Sequence, residues 1–148
     1  MPAPKSGRQA APVPIKVGFV SVVPSPYQRD LFRALSQRLE VELSVFYLEA
    51  GAYDAPWPQK PLASYEKILP GFWLPIGSGR SHINWRLPSL RRFDVVVMNT
   101  LMSVTAQLLI RTSLRHKPWI FWGERLGYRA GLHEKLAAPL NRAAGIAA

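Results

Sequence analysis

The chain has 148 residues and a formal net charge of +10, from 19 Lys and Arg against 9 Asp and Glu. With 48% hydrophobic and 19% charged residues it can bury a core, which excludes global disorder and leaves room for one domain. It has no cysteine, which excludes a disulfide framework, a thiolate metal site and a cysteine nucleophile.

Residues 1–14, "MPAPKSGRQAAPVP", carry Lys5 and Arg8 but no apolar core, and read as a flexible Pro/Ala-rich leader. The ordered domain is expected over 15–148. "IKVGFVSVV" (15–23) is a nearly continuous apolar, β-branched run, as in a strand buried on both faces of a parallel sheet. A helix is expected directly after it. Ser25 fits the N-cap, Pro26 the first turn and Gln28 the N3 place, which together predict a capping box. Asp30 would face the positive end of the helix dipole. Leu31, Leu35 and Leu39, with Phe32, predict the inward stripe.

"VELSVFYL" (41–48) is a second strand, which makes a βαβ unit. Residues 49–63 read as a long Pro, Gly and Ala-rich loop, and "YEKIL" (65–69) as a short third strand. The stretch 70–93 is broken by prolines and glycines, and predicts irregular chain with a short helix around 88–92. "DVVVMN" (94–99) is a strand. Residues 101–115 predict a helix with Leu101, Val104, Leu108 and Leu109 inward, stopped by Pro118. "WIFW" (119–122) is a fifth strand, 123–131 a loop, 132–143 a helix, and "GIAA" (145–148) the opening of a sixth strand.

Alternating strands and helices predict a single Rossmann-like, doubly wound parallel sheet. In such sheets ligands bind beyond the carboxyl ends of the strands. Three segments should meet there: 24–29, Asn99 with Thr100, and 123–125. The first corner, "VPSPYQ", lacks the glycines of a dinucleotide fingerprint and the lysine of a P-loop, which argues against a nicotinamide cofactor or a nucleotide triphosphate. It offers a helix N-terminus flanked by polar side chains, able to receive a hydroxyl or an anion. No His/Asp/Glu cluster has metal-ligand spacing, so no metal or cofactor is expected. His82, His116 and His133 are scattered and read as surface histidines.

The first strand, "PSPYQRDLFRAL", "FDVVVMNT" and "KPWIFWGER" together resemble the N-terminal domain of a GT-B glycosyltransferase, most nearly the family 4 retaining enzymes of bacterial surface-polysaccharide assembly. The resemblance covers roughly residues 15–148. It implies the acceptor-side half of a two-domain enzyme that transfers a sugar from a nucleotide-sugar to a lipid-linked or surface-glycan acceptor. The donor is then held mainly by a second domain absent here, and the isolated chain is inactive. It implies substrate-binding roles for Ser25, Tyr27, Gln28, Arg29, Asn99, Thr100 and Arg125. Many relatives carry a histidine just after the fifth strand; here Trp122-Gly123-Glu124-Arg125 stands in that place, which makes Glu124 the nearest catalytic candidate. Many also carry glycines at the first corner, where this chain has Pro24-Ser25-Pro26.

Arg80, Trp85, Arg86, Arg91 and Arg92 interleave basic and aromatic character and suit an anionic membrane surface or a lipid-diphosphate acceptor. Nucleic acid is the less favoured partner. The expected location is cytoplasmic, peripheral at the inner membrane face. The alternative reading is a non-catalytic basic module that binds nucleic acid or a phosphorylated partner. A receiver-like domain would need an acidic cluster at the end of the first strand, and "SVVPSPY" supplies none.

Overall fold

The computed structural model describes residues 13–51, 57–58, 60–77 and 79–123. The leader up to residue 12, and the helix and strand expected after residue 131, lie outside the described residues.

Five parallel strands form one sheet: β1 (Ile15–Ser21), β2 (Val41–Tyr47), β3 (Glu66–Ile68), β6 (Val95–Met98) and β7 (Trp119–Phe121). Their order is β3-β2-β1-β6-β7, a Rossmann-like arrangement with β1 at the centre. The register pairs Ile15 with Val41 on one side of β1 and Val17 with Val95 on the other. Among the described residues two helices accompany the sheet, α1 (Pro26–Ser36) and α2 (Val104–Arg111).

Successive strand residues point to opposite faces, so each central strand feeds two cores. Phe19, Val45 and Tyr47 pack with Phe32 of α1. Val20, Phe46, Val96 and Met98 pack with Ala106, Leu109 and Ile110 of α2. Among the described residues a helix therefore covers each face, which is why the strands read as unbroken apolar runs rather than alternating ones. Phe19 and Phe32 meet edge to face at 4.7 Å.

Gly18 of β1 lies under the Phe93 ring, where an added Cβ would sit 2.8 Å from the nearest ring carbon. Gly18→Ala is expected to destabilise the fold by about 1–3 kcal/mol through overpacking, read as a lower thermal midpoint.

Both helices are shorter than the sequence predicts. α1 ends at Ser36, so Leu39 lies beyond it, 92% exposed, and Leu31 is exposed as well; Phe32 is the apolar side chain of α1 that is fully buried. Asp30 lies past the first turn and pairs with Arg33 instead of facing the dipole. In α2, Ser103 is the N-cap and accepts the Ala106 N–H at 3.0 Å. Starting there turns Thr105, Ala106, Leu109 and Ile110 inward, and leaves Val104 and Leu108 exposed.

The largest departure is in residues 70–84, which hold an antiparallel hairpin, β4 (Gly71–Ile76) and β5 (Gly79–Asn84), in place of irregular chain; the short helix expected around 88–92 is a 3-10 turn at Leu90–Arg92. Gly77 supplies the turn's positive φ of 59°, which suits the handedness of a two-residue hairpin connection. Pro75 is tolerated because, among the described residues, β4 has β5 as its partner on one side only, as an edge strand permits.

Candidate functional site

The order β3-β2-β1-β6-β7 has a topological switch point between β1 and β6, because the chain builds outward from β1 first on one side and then on the other. Ser21 ends β1 and Asn99 follows β6, so both stand at the carboxyl rim of that crevice. There they touch. Asn99 Nδ2 donates to Ser21 Oγ at 3.0 Å, and Ser21 Oγ donates to Gln28 Oε1 at 2.8 Å. Ser21 and Gln28 are both buried, so the chain of bonds is shielded from water.

Ser25 takes the N-cap place, but its side chain makes no capping bond, and the expected capping box does not form. The backbone explains this. The Ser25 N–H that a Gln28 side chain would accept in such a box donates instead to Val23 O at 2.9 Å. Gln28 is left to satisfy the buried Ser21 hydroxyl. Two polar atoms at this corner remain buried without a hydrogen-bond partner: Ser25 Oγ, on a residue 3% exposed, and Asn99 Oδ1. Pro26 has no N–H and the Arg29 N–H donates to Ser25 O at 3.0 Å, so Tyr27 and Gln28 supply the first-turn amides with no acceptor within the helix. Donors and an acceptor are thus gathered at one corner with capacity to spare, which is the chemistry a sugar hydroxyl needs.

The other expected residues fall in different places. Tyr27 is 64% exposed on the outer side of α1 and Thr100 is half-buried at the rim. Glu124 and Arg125 lie outside the described residues. Arg29 is committed to the protein itself: Nε and Nη2 grip the Glu66 carboxylate at 2.9 and 2.7 Å, while Nη1 and Nη2 also reach the carbonyls of Lys60 and Pro61. Glu66 further accepts from the Tyr47 hydroxyl at 2.7 Å and the Ala63 N–H at 2.8 Å. Burial pushes the Glu66 carboxyl up, but the bonds from Arg29, Ala63 and Tyr47 outweigh it and hold it below the ordinary carboxylate range. Burial, then the bond to Glu66, pushes the Tyr47 phenol far above its usual range, so it stays protonated. The bond to Glu66 likewise raises the Arg29 guanidinium. This assembly anchors the β3 edge, and its geometry is structural.

His82 corrects the expectation of a surface histidine. It is 4% exposed on β5, and its Nε2 lies 3.5 Å from Glu49 Oε1, just past the end of β2. Arg80 Nη1 lies 3.7 Å from the other carboxylate oxygen, and its guanidinium stacks 4.2 Å over Trp73. His116, by contrast, is exposed, and His133 lies outside the described residues. Glu49 N–H donates to Val22 O at 3.0 Å, which sets this acid beside the first corner. Period-2 spacing along 79–84 would have placed His82, Arg80 and Asn84 on one face, had that stretch been read as a strand.

Of the basic and aromatic group, Trp85, Arg86 and Arg91 are exposed, and Arg92 lies over the Phe93 ring at 4.9 Å. Among the described residues there is no group of three or more His, Cys, Asp or Glu side chains placed to hold a metal ion. No described helix is long and apolar enough to cross a membrane. Comparison with protein-family models, with curated proteins and with solved structures finds no match to this chain.

Proposed function

We propose that this chain is the acceptor-side half of a glycosyltransferase, receiving the glycan or lipid-linked hydroxyl that takes a sugar from a nucleotide-sugar donor. The observation that supports it best is the polar corner at the β1/β6 switch point, where Ser25 Oγ and Asn99 Oδ1 are buried without partners beside the Asn99–Ser21–Gln28 chain. Asn99 Oδ1 accepts from an acceptor hydroxyl, and Ser25 Oγ and the first amides of α1 donate to a neighbouring oxygen. In the transfer, the acceptor oxygen bonds to the anomeric carbon as the bond from that carbon to the diphosphate oxygen breaks. The acceptor's proton leaves with the diphosphate. A donor lobe supplies the contacts to the nucleotide, and Glu124 and Arg125 stay the candidates of this half for contact with the reacting sugar. The setting is the cytoplasmic face of a membrane.

The test is a titration of isotope-labelled chain with lipid-diphosphate-linked sugar acceptors and, separately, with nucleotide-sugars, followed by amide NMR. Acceptors are expected to shift the amides of Ser21, Ser25, Gln28 and Asn99, and nucleotide-sugars to have little effect. Asn99→Ala should weaken acceptor binding roughly tenfold, the worth of one hydrogen bond to a buried acceptor. Unmoved rim amides, or tight sequence-tolerant binding of single-stranded nucleic acid, would replace this reading with a non-catalytic basic module.

A further inference from the structure

We infer that the β4–β5 hairpin is a docking element for an anionic lipid bilayer, with the outer strand β4 lying in the headgroup boundary. This rests on the hairpin and its charge, and stands whether or not the chain serves sugar transfer.

Every residue of β4 is exposed, although the strand reads "GFWLPI". The cause lies in the hairpin's attachment. β5 is the inner strand: Asn84 N–H donates to Thr105 Oγ1 at 2.9 Å, and Ser81 Oγ accepts the Val104 N–H at 3.1 Å, both from the start of α2. β4 is thereby held on the outside. Along it the period of two places Phe72, Leu74 and Ile76 on one face, 45–53% exposed. Trp85, more exposed still, closes the ridge with its ring 6.4 Å from Phe72. A solitary exposed leucine needs no explanation, but a contiguous aromatic and aliphatic ridge does.

Charge decides what covers it. Between Glu66 and Asp94 the sequence has no acidic residue, while Lys67, Arg86, Arg91 and Arg92 fall there beside Arg80, which lies against the Glu49 carboxylate. Arg86 and Arg91 are exposed. A second copy docked symmetrically on this ridge would set like charges against each other, with no carboxylate in the segment to offset them. Single-stranded nucleic acid would use Trp85 and Phe72 as stacking platforms, but Leu74 and Ile76 offer a base no stacking partner. An anionic bilayer satisfies both features at once: the headgroups meet the arginines, and the acyl boundary takes the aromatic and aliphatic side chains. Tryptophan at the end of the ridge suits the interfacial level.

Co-sedimentation with phosphatidylcholine vesicles, with and without phosphatidylserine, tests this on the whole chain. Binding is expected with phosphatidylserine and to weaken as salt rises. The double variant Leu74→Ser with Ile76→Ser should weaken it about tenfold or more. Arg86→Gln and Arg91→Gln should each weaken it about fivefold. Arg38→Gln, beyond the far end of α1, should leave it unchanged, and circular dichroism should match for all variants, since every altered side chain is exposed. Three outcomes overturn the inference: no vesicle binding, binding that ignores the Leu74/Ile76 change, or a ridge-dependent dimer in solution that does not bind vesicles.

Discussion

Glu66→Ala is expected to lower the unfolding free energy by about 3–5 kcal/mol, the cost of removing one partner from a buried ion pair. Glu66 has a side chain only 1% exposed and receives Arg29 bidentately, the Tyr47 hydroxyl and the Ala63 N–H. Alanine strands all of these donors, among them Arg29 on α1 and Tyr47 on β2, which Glu66 ties to β3. Because Arg29 keeps 17% side-chain exposure, water recovers part of the loss, and the lower end of that range is expected. Glu66→Gln keeps one acceptor oxygen, for either Tyr47 or Ala63, and loses the charge, and should fall between. Urea unfolding reads this as a lower midpoint at unchanged slope.

The same assembly fixes how stability responds to pH. The Glu66 carboxyl is held below its unfolded value, so the unfolded chain takes up its proton first as pH falls. Its contribution is full above about pH 4.3 and is lost progressively below that, through the folded-state pKa. The Tyr47 phenol is raised, so the opposite sign applies: its contribution is full below about pH 10 and declines above it, as the unfolded chain ionises first. Glu66→Gln should flatten the acid limb. An acid limb equally steep in Glu66→Gln would show that other carboxylates govern it.

What sequence could foretell was set by the range of each signal. β1, β2 and β6 were readable because residues facing two cores leave continuous apolar runs. The corner at Ser25 and Pro26 was readable because N-cap and N1 preferences are local. Failure begins where tertiary contacts override local ones. Gln28 looks like a capping partner until the Ser25 N–H is spent on Val23 O. Arg29 looks like an open site residue, but Glu66, 37 positions away, claims it. Ser21 carries no signal as a lone polar residue inside the apolar run 15–23, yet it links Gln28 to Asn99. The hairpin had a usable signal that competing breakers hid: two runs divided by the dipeptide Gly77-Ser78. Pro75 made the first run look irregular, when it marks an edge.

Asn84 is the second residue whose loss should be severe, because it fixes where that hairpin points. Its Nδ2 donates to Leu48 O and Leu69 O, both at 3.0 Å, at the ends of β2 and β3. Its Oδ1 lies 2.9 Å from Thr105 Oγ1, on α2. The three contacts bind β5 to the sheet and to the helix on its far side, with Asn84 itself buried. Gly71 opposite it has no room for a side chain, since a Cβ there would come within 2.5 Å of Ile83 O and press on the Asn84 amide. Asn84→Ala leaves two buried carbonyls short of a donor, while the Thr105 hydroxyl keeps His82 O and the backbone N–H of residue 84, and should cost about 3 kcal/mol. Asn84→Asp alters a single terminal group, yet should be at least as damaging, because a carboxylate would face two carbonyl oxygens it cannot donate to. Amide exchange separates this from general loosening: residues 71–84 should exchange faster in both variants, while β1 and β2 stay protected up to global unfolding. If Asn84→Asp retains wild-type stability and hairpin protection, the amide's two donated bonds do not hold the hairpin. The outward pose of β4 would then rest on Ser81 and Thr105 alone.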